Sequence, residues 1–561
     1  MSEIEVDQVD KNNQSVNSAN KPDELAQFID SNAGSKIGDS EIAKNLRASR
    51  FSTFAGPHGL STFSGALAII STCVGGGIVG LPLAYYRLGL ITAVILNILV
   101  IIATVFSTRV YLAIKDALPD KPESLYEIGY MLIGRSSIFI QAGILIINSF
   151  GLCMIYFIVF GDTFGQLMAS LTDKEFTHDF SGTFYTKRWF YDILLAAVLL
   201  PIVLKKELAE LAWVSYVLFS SLGLFIVLSF IMLVFDSRFE AYPDRSDFWA
   251  PKVKWSTISA LNVTMIAYSY QQNVFPIYTE LKNKTNEQYA KVNLTGLLLT
   301  FSIYTCVAII CMFMFGAGLE SSVLDNFGHS ETADGKPFWE AVIVELAFMV
   351  VLTCHIPFIF FSGKEAVCTI IDEIDRKSIS SALWHKLQGN SHFSKRLDAQ
   401  IPPNPNLPIP GEKQGFDSML STHEKGASEA DVKASLHASK LRSKAMMSHV
   451  SAAVAQRLAY KDMKASYYYI ASLIFYSVIL LGAILIVDIT TIFDFVSAIA
   501  ISALAFFIPS ILYRQIPKKF PQELENGRTN MCLANLFLAL GCVNFILGLM
   551  STVINIIGVE E

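Results

Sequence analysis

The chain has 561 residues, 52% hydrophobic, 12% aromatic and only 16% charged, where an ordinary soluble domain carries roughly 25% charged residues. Residues 1–62 and 364–465 hold 41 of its 92 charges, leaving 51 for the other 397 residues. A soluble multidomain enzyme of this size could not cover its surface with that composition, and a net charge of −6 without an isolated basic stripe argues against nucleic acid as a partner.

The pattern is that of an all-α polytopic membrane protein with two soluble appendages. Four units are expected: a cytoplasmic N-terminal tail over 1–62, transmembrane helices 1–8 over 63–363, a cytoplasmic insert over 364–465, and helices 9–11 over 466–558. The tail is rich in Ser, Asn, Asp and Lys, which predicts disorder, and it does not read as a cleaved signal peptide. The eight cysteines lie in or beside apolar runs and are expected to pack as small hydrophobes.

A span needs about 20 apolar residues to cross the hydrocarbon of a bilayer. Eleven stretches qualify: 64–86, 89–112, 137–161, 190–204, 208–235, 256–278, 290–316, 338–363, 467–487, 491–513 and 530–557. The fourth is short. With the N-terminus in the cytoplasm, 34 of the 43 Lys and Arg fall on the inner side, which satisfies the positive-inside rule. The C-terminus is then non-cytoplasmic.

The first span reads FSGALAIISTCVGGGIVGLPLAYYRLGL, with Gly75, Gly76 and Gly77 consecutive and Pro82 beyond them. Each glycine inside a helix costs about 1 kcal/mol against alanine, and a proline about 3 kcal/mol. One reading is a small-residue face for close helix packing. The other is a discontinuous helix that presents free N–H groups to an anion, favoured because three adjacent glycines cannot share one face. The sixth span carries Ser269-Tyr270-Gln271-Gln272-Asn273 before Pro276. It reads either as an early helix end or as a second break, since VFPIY continues apolar beyond the patch. The breaks open two blocks of five spans. An odd number of spans per block inverts one block relative to the other, and matched interruptions in inverted halves point to a transporter's binding site.

In the insert, IPPNPNLPIPGEK is an extended linker. The basic stretch after it, from Asp431 to Lys464, reads either as a solvated coil or as a helix lying on the inner membrane face. His385, His392, His423, His437 and His449 lack metal-ligand spacing, so no metal site is expected. A regulatory role, with cytoplasmic partners, is the expectation for this region.

VGGGIVGLPLA in span one, NVFPIYTELKN in span six and the acidic start and late F-x-x-P of span ten resemble the amino acid/auxin permease family. That family includes the sodium-coupled neutral and the proton-coupled amino acid transporters. The resemblance covers about 64–364 and 466–557. It implies a LeuT-type fold of five plus five inverted helices with an eleventh transmembrane helix appended. It also implies secondary active amino acid transport with an amino acid as substrate, no enzymatic activity, and H+ or Na+ as coupling ion in place of a cofactor. Carried over by position, Thr72, Val74, Gly75, Gly76 and Gly77 would meet the substrate carboxylate. Ser269, Tyr270 and Gln271 would meet its amino group or side chain. The chain departs from the family in having Gln271-Gln272 where His-Pro is common. At the sodium-ligand positions the best matches are Ser71 and, in span eight, His355, with Thr353 nearby.

His355 is the lone histidine inside a span and suggests function by default. A neutral imidazole is a poor sodium ligand, so proton coupling through His355 is expected over a sodium site that keeps Thr353. Glu345, about 15 Å along the same helix from His355, reads as an outer interfacial or gating residue, and Asp488 and Asp494 as interfacial. Tyr85 and Tyr86 read as members of an aromatic belt. Two other functions are weighed: a membrane sensor that binds amino acid and signals through 364–465, and an intramembrane acyltransferase, which lacks a partner for its base. The absence of charge apart from His355 at the expected site favours neutral substrates. Plasma membrane and vacuolar or lysosomal membrane are equally open.

Overall fold

The computed structural model describes residues 59–388 and 463–557, apart from 76, 119–120, 173, 175, 178–182, 206–211, 236–247, 250–254, 329–338, 487 and 520–526. The expected disordered tail, except for its last residues, and the insert from 389 to 462 lie outside the described residues. What is described is helical, save for one isolated β-bridge.

The helices are α1 Thr62–Cys73, α2 Gly77–Leu88, α3 Leu90–Asp116, α4 Leu125–Leu132, α5 Ser136–Leu171, α6 Arg188–Val203, α7 Ala212–Phe235, α8 Ser256–Ala267 and α9 Val274–Glu280. They continue with α10 Asn286–Phe315, α11 Val323–Gly328, α12 Trp339–Asp375, α13 Ser378–Gln388, α14 Ala465–Leu485, α15 Ile489–Val496, α16 Ile508–Lys519 and α17 Gly527–Ile557. Among the described residues eight helices are long and apolar enough to cross a membrane, or nine if α1 and α2 count as one bent span. Every one of the eleven expected stretches is occupied by helix. The two that fall short do so for physical reasons. Helix α6 has 16 residues and rises only about 24 Å, and the sixth stretch is divided between α8 and α9.

Helix α12 packs against α5 and α7, α1 against α10, and α2 against α8. The outward faces of α3, α7 and α14 expose Ile98, Ile102, Phe230, Ile470 and Ile474, as lipid-facing helices do. Residues 497–507 form a π-helical stretch between α15 and α16. Asn544 of α17 donates to Ser497 O at 3.3 Å and to Ser502 Oγ at 2.8 Å. A side chain thus supports the backbone where the regular helix ladder is lost.

Several expectations change. Helix α12 continues twelve residues past the expected membrane boundary at 363 and is followed by α13, whose Ile379 and Leu383 pack with Tyr126, Ile138 and Ala142. Lys364 is buried and donates to Val203 O at 2.7 Å and Lys205 O at 2.8 Å. Its positive charge thereby satisfies the last carbonyl of α6 and one just beyond its end. Tyr85 is not a belt residue: it is fully buried and its hydroxyl pairs with Thr305 at 3.0 Å. Asp494 is not interfacial either. It is fully buried and accepts from Ser259 (2.6 Å), Asn262 (2.7 Å), Ser551 (2.7 Å) and Asn555 (2.9 Å), which joins α8, α15 and α17. Asp488, exposed at the start of its span, caps α15, accepting from the backbone N–H groups of Thr490 and Thr491.

Candidate functional site

Helix α1 stops at Cys73. Val74 turns extended (φ −73°, ψ 102°), although its N–H still reaches Ile70 O at 2.8 Å. The helix resumes at Gly77 with its axis bent by 74°. Gly76 lies outside the described residues. On the facing segment α8 stops at Ala267. Ser269 N then bonds Ile266 O at 2.9 Å, Gln271–Asn273 form a single 3-10 turn, and α9 begins at Val274. Pro276 sits in the first turn of α9, where its missing N–H would have had no helical acceptor. Both spans are therefore broken where their sequences are weakest as helices.

The breaks touch. A Cβ on Gly77 would stand 3.0 Å from the Cα and Cβ of Ala267, so the glycine lets the two backbones meet. One side chain serves both ends. Tyr304, from α10, donates its hydroxyl to Cys73 O at 2.6 Å and lies 3.0 Å from Ala267 O. These are C-terminal carbonyls that an interrupted helix leaves without an internal donor. Tyr268 packs edge-on against the Tyr304 ring, centroids 5.4 Å apart.

Gly75 faces α5 and α12. A Cβ there would run into the Tyr156 hydroxyl and come within 3.7 Å of His355 Nδ1. The two rings lie 6.0 Å apart. His355 is buried, and its Nε2 has no hydrogen-bond partner among the described residues. The histidine is thus brought to the glycine triplet, as is Tyr156. Tyr156 carries no mark in the sequence, being one of 21 tyrosines and set in an unbroken apolar run. Tyr304 likewise carries no mark, being one more tyrosine in a long helix.

The hydroxyls of Ser71, Thr72 and Thr353 each donate to a carbonyl about one turn back, on Ala68 (2.9 Å), Ile69 (2.8 Å) and Met349 (2.8 Å). Donation leaves their lone pairs as acceptors or ligands. Val74 is fully buried. Ser269 Oγ bonds Gln271 Oε1 at 3.1 Å, and Gln272 Oε1 accepts from Asn148 of α5 at 2.9 Å. Tyr270 is fully buried and gives its hydroxyl to Asn293, which in turn donates to Thr108 at 2.7 Å. Its hydroxyl therefore belongs to the packing of α3 and α10.

The start of the first broken span and the end of the second are strapped together. Leu60 N donates to Glu280 O at 2.8 Å and Lys282 N to Leu60 O at 3.0 Å. Gly59 enters this bridge at φ +97°, and a Cβ on it would stand 2.9 Å from Glu280 O. Only glycine takes that conformation without strain.

A family model described as transmembrane amino acid transporter protein matches residues 58–554. Amino acid transporter AVT6D of Arabidopsis thaliana is 26% identical over 311 residues, which are 54% of this chain and 69% of the relative. Vacuolar amino acid transporter 5 of Saccharomyces cerevisiae is 21% identical over 300 residues, 52% of this chain and 64% of the relative. Sodium-coupled neutral amino acid transporter 7 of Mus musculus is 21% identical over 315 residues, 55% and 64%. The matches thus span about two thirds of the relatives' length, and the family model covers both parts of the sequence in which the resemblance was read.

Proposed function

The chain belongs to the family of transmembrane amino acid transporter proteins, and from that premise we propose that it carries neutral amino acids across a membrane by alternating access, as a secondary active transporter. The observation that carries this reading is the contact between the two broken spans at Gly77 and Ala267, with Tyr304 bonded across both ends. The first N–H groups of a helix have no internal acceptor, so the restart of α2 after the glycines suits a carboxylate. In this reading Thr72, Val74, Gly75, Gly76 and Gly77 receive the substrate carboxylate, and Ser269, Tyr270 and Gln271 receive its amino group or side chain. A LeuT-type arrangement of five plus five inverted helices with an eleventh appended accounts for two breaks at matched positions.

For the coupling ion we favour the proton. His355 is buried beside Gly75 with its Nε2 unpartnered among the described residues, and an imidazole can take up and release a proton as its surroundings change. Sodium remains the second reading, because the Ser71 and Thr353 hydroxyls keep oxygen lone pairs of the kind alkali cations prefer, and one relative is named sodium-coupled. The charge distribution supports a cytoplasmic N-terminus and a non-cytoplasmic C-terminus. One relative is named for the vacuole, which supports a vacuolar or lysosomal membrane. The insert over 364–465 is proposed as regulatory, its first part being packed on the bundle through α13.

Uptake by the purified protein in liposomes, with pH and sodium gradients imposed separately, tests the coupling. Uptake driven by a pH gradient without sodium is expected. Strict sodium dependence at constant pH would end the proton reading.

A further inference from the structure

At the end of the bundle remote from α13, four carboxylates are buried in one place. Asp162 comes from α5, Asp192 from α6, Asp325 from α11 and Glu345 from α12, all of them 9% exposed or less. Helices α7 and α14, which also pack on α12 or α5, carry no charged residue. Among the described residues one cation is paired with the group. Arg188 lies 3.7 Å from Asp162 and 3.9 Å from Asp192, and it also donates to Ile484 O and Ile486 O. Glu345 is not merely interfacial: it is 1% exposed, and neither carboxylate oxygen has a hydrogen-bond partner among the described residues. Leaving several unpaired charges in such surroundings costs several kcal/mol each. Among the described residues no three acidic, His or Cys side chains converge closely enough to hold a metal ion.

Gln166 indicates what is missing. Its Nε2 donates to Asp325 Oδ1 at 3.2 Å, while its Oε1 is buried without a donor among the described residues. That oxygen and Glu345 Oε1 lie 2.6 and 3.2 Å from one point, the place of a Cβ on Gly328. Two acceptors therefore flank the same spot, and neither has a donor among the described residues. A single proton on Glu345 would make it the donor that Gln166 lacks, completing a chain from Glu345 through Gln166 to Asp325.

We propose that Glu345 and Gln166 form a proton-binding site that holds the short helix α11 onto α5 and α12. With the proton bound, α11 is tied down through Asp325. When the proton leaves, Glu345 becomes a buried anion beside Asp162, Asp192 and Asp325, with Arg188 as the cation paired with them among the described residues, and α11 loosens. The site adds a second titrating position to the transport reading and rests on it only for its effect on uptake.

Hydrogen exchange of the α11 amides, corrected for intrinsic rates, tests the site in the full-length protein, together with thermal stability as a function of pH. In the wild type, protection of residues 323–328 and the melting temperature should fall as pH rises, exchange accelerating by up to about tenfold per pH unit for one proton released. Glu345→Gln, whose amide supplies the hydrogen at any pH, should fold and lose this dependence. Glu345→Asp should keep a titration at a shifted midpoint. A Glu345→Gln protein with the wild-type pH profile, or a wild type whose α11 protection is independent of pH, would overturn the proposal. Stability that titrates while wild-type uptake ignores pH would support this site and count against proton-coupled transport.

Discussion

The Tyr304 hydroxyl donates to the carbonyl of Cys73 at 2.6 Å and stands 3.0 Å from that of Ala267, so one side chain on an unbroken helix holds the ends of two broken ones. Tyr304→Phe removes the donor and leaves buried carbonyls unsatisfied, at a cost of about 1–3 kcal/mol. The expected result is a lower melting temperature together with a loss of uptake larger than the loss of folded protein. Both are read on the same purified sample. Unchanged stability and uptake would show that the breaks do not depend on this bond.

Gly75 leaves no room for a side chain, because a Cβ there meets the Tyr156 hydroxyl. Gly75→Ala should abolish uptake while the protein remains folded. Adding Tyr156→Phe, which removes the clashing oxygen, should restore part of the activity. Rescue by the second change is the informative outcome, since two independent lesions would only add. Liposome uptake of the single and double variants measures it.

Much of this architecture could be read from the residues, and what escaped has a common cause. The breaks at Gly75–Gly77 and Ser269–Asn273 were visible because glycine and polar side chains disfavour helix in a recognisable way. The partners that complete the site, Tyr156 and Tyr304, sit in ordinary apolar helices and become special only when the fold brings them to the breaks. Asp494 and Glu345 misled for a related reason. Sequence gives depth along a span but not which face turns inward, so residues expected at an interface proved to be buried between helices. The extension of α12 to Asp375 was hidden by its charges. Lys364 is accommodated by carbonyls at and just past the end of α6 and by the Phe361 and Tyr468 rings 4.9 and 5.1 Å away, partners that no local pattern announces.

The Asp494 cluster joins three elements through four donors. Asp494→Ala removes the acceptor of all four, leaving Ser259 and Ser551 to bond each other (2.9 Å) and Asn262 and Asn555 without it, and should lower stability by about 3 kcal/mol, whereas Asp494→Asn should keep part of the network. Melting temperatures of the two variants in one detergent check the order. Equal melting temperatures would mean that the cluster contributes packing alone.

The strap at Gly59 makes a simpler prediction. Gly59→Ala forces a side chain into a left-handed conformation against Glu280 O and should destabilise the protein by roughly 1–2 kcal/mol. Exchange of the Leu60 and Lys282 amides should accelerate if the bridge is lost. Unaltered exchange at those amides would show that the bridge survives the substitution.

The central claim is that amino acids bind between the two breaks and are carried across the membrane. Its most direct test is uptake of a panel of amino acids by the purified wild-type protein in liposomes, with internal and external pH and sodium clamped. The account predicts accumulation of neutral amino acids only when an ion gradient is imposed, and none in the Gly75→Ala protein. Undiminished uptake by Gly75→Ala, or no accumulation of any amino acid by the wild type under either gradient, would contradict it.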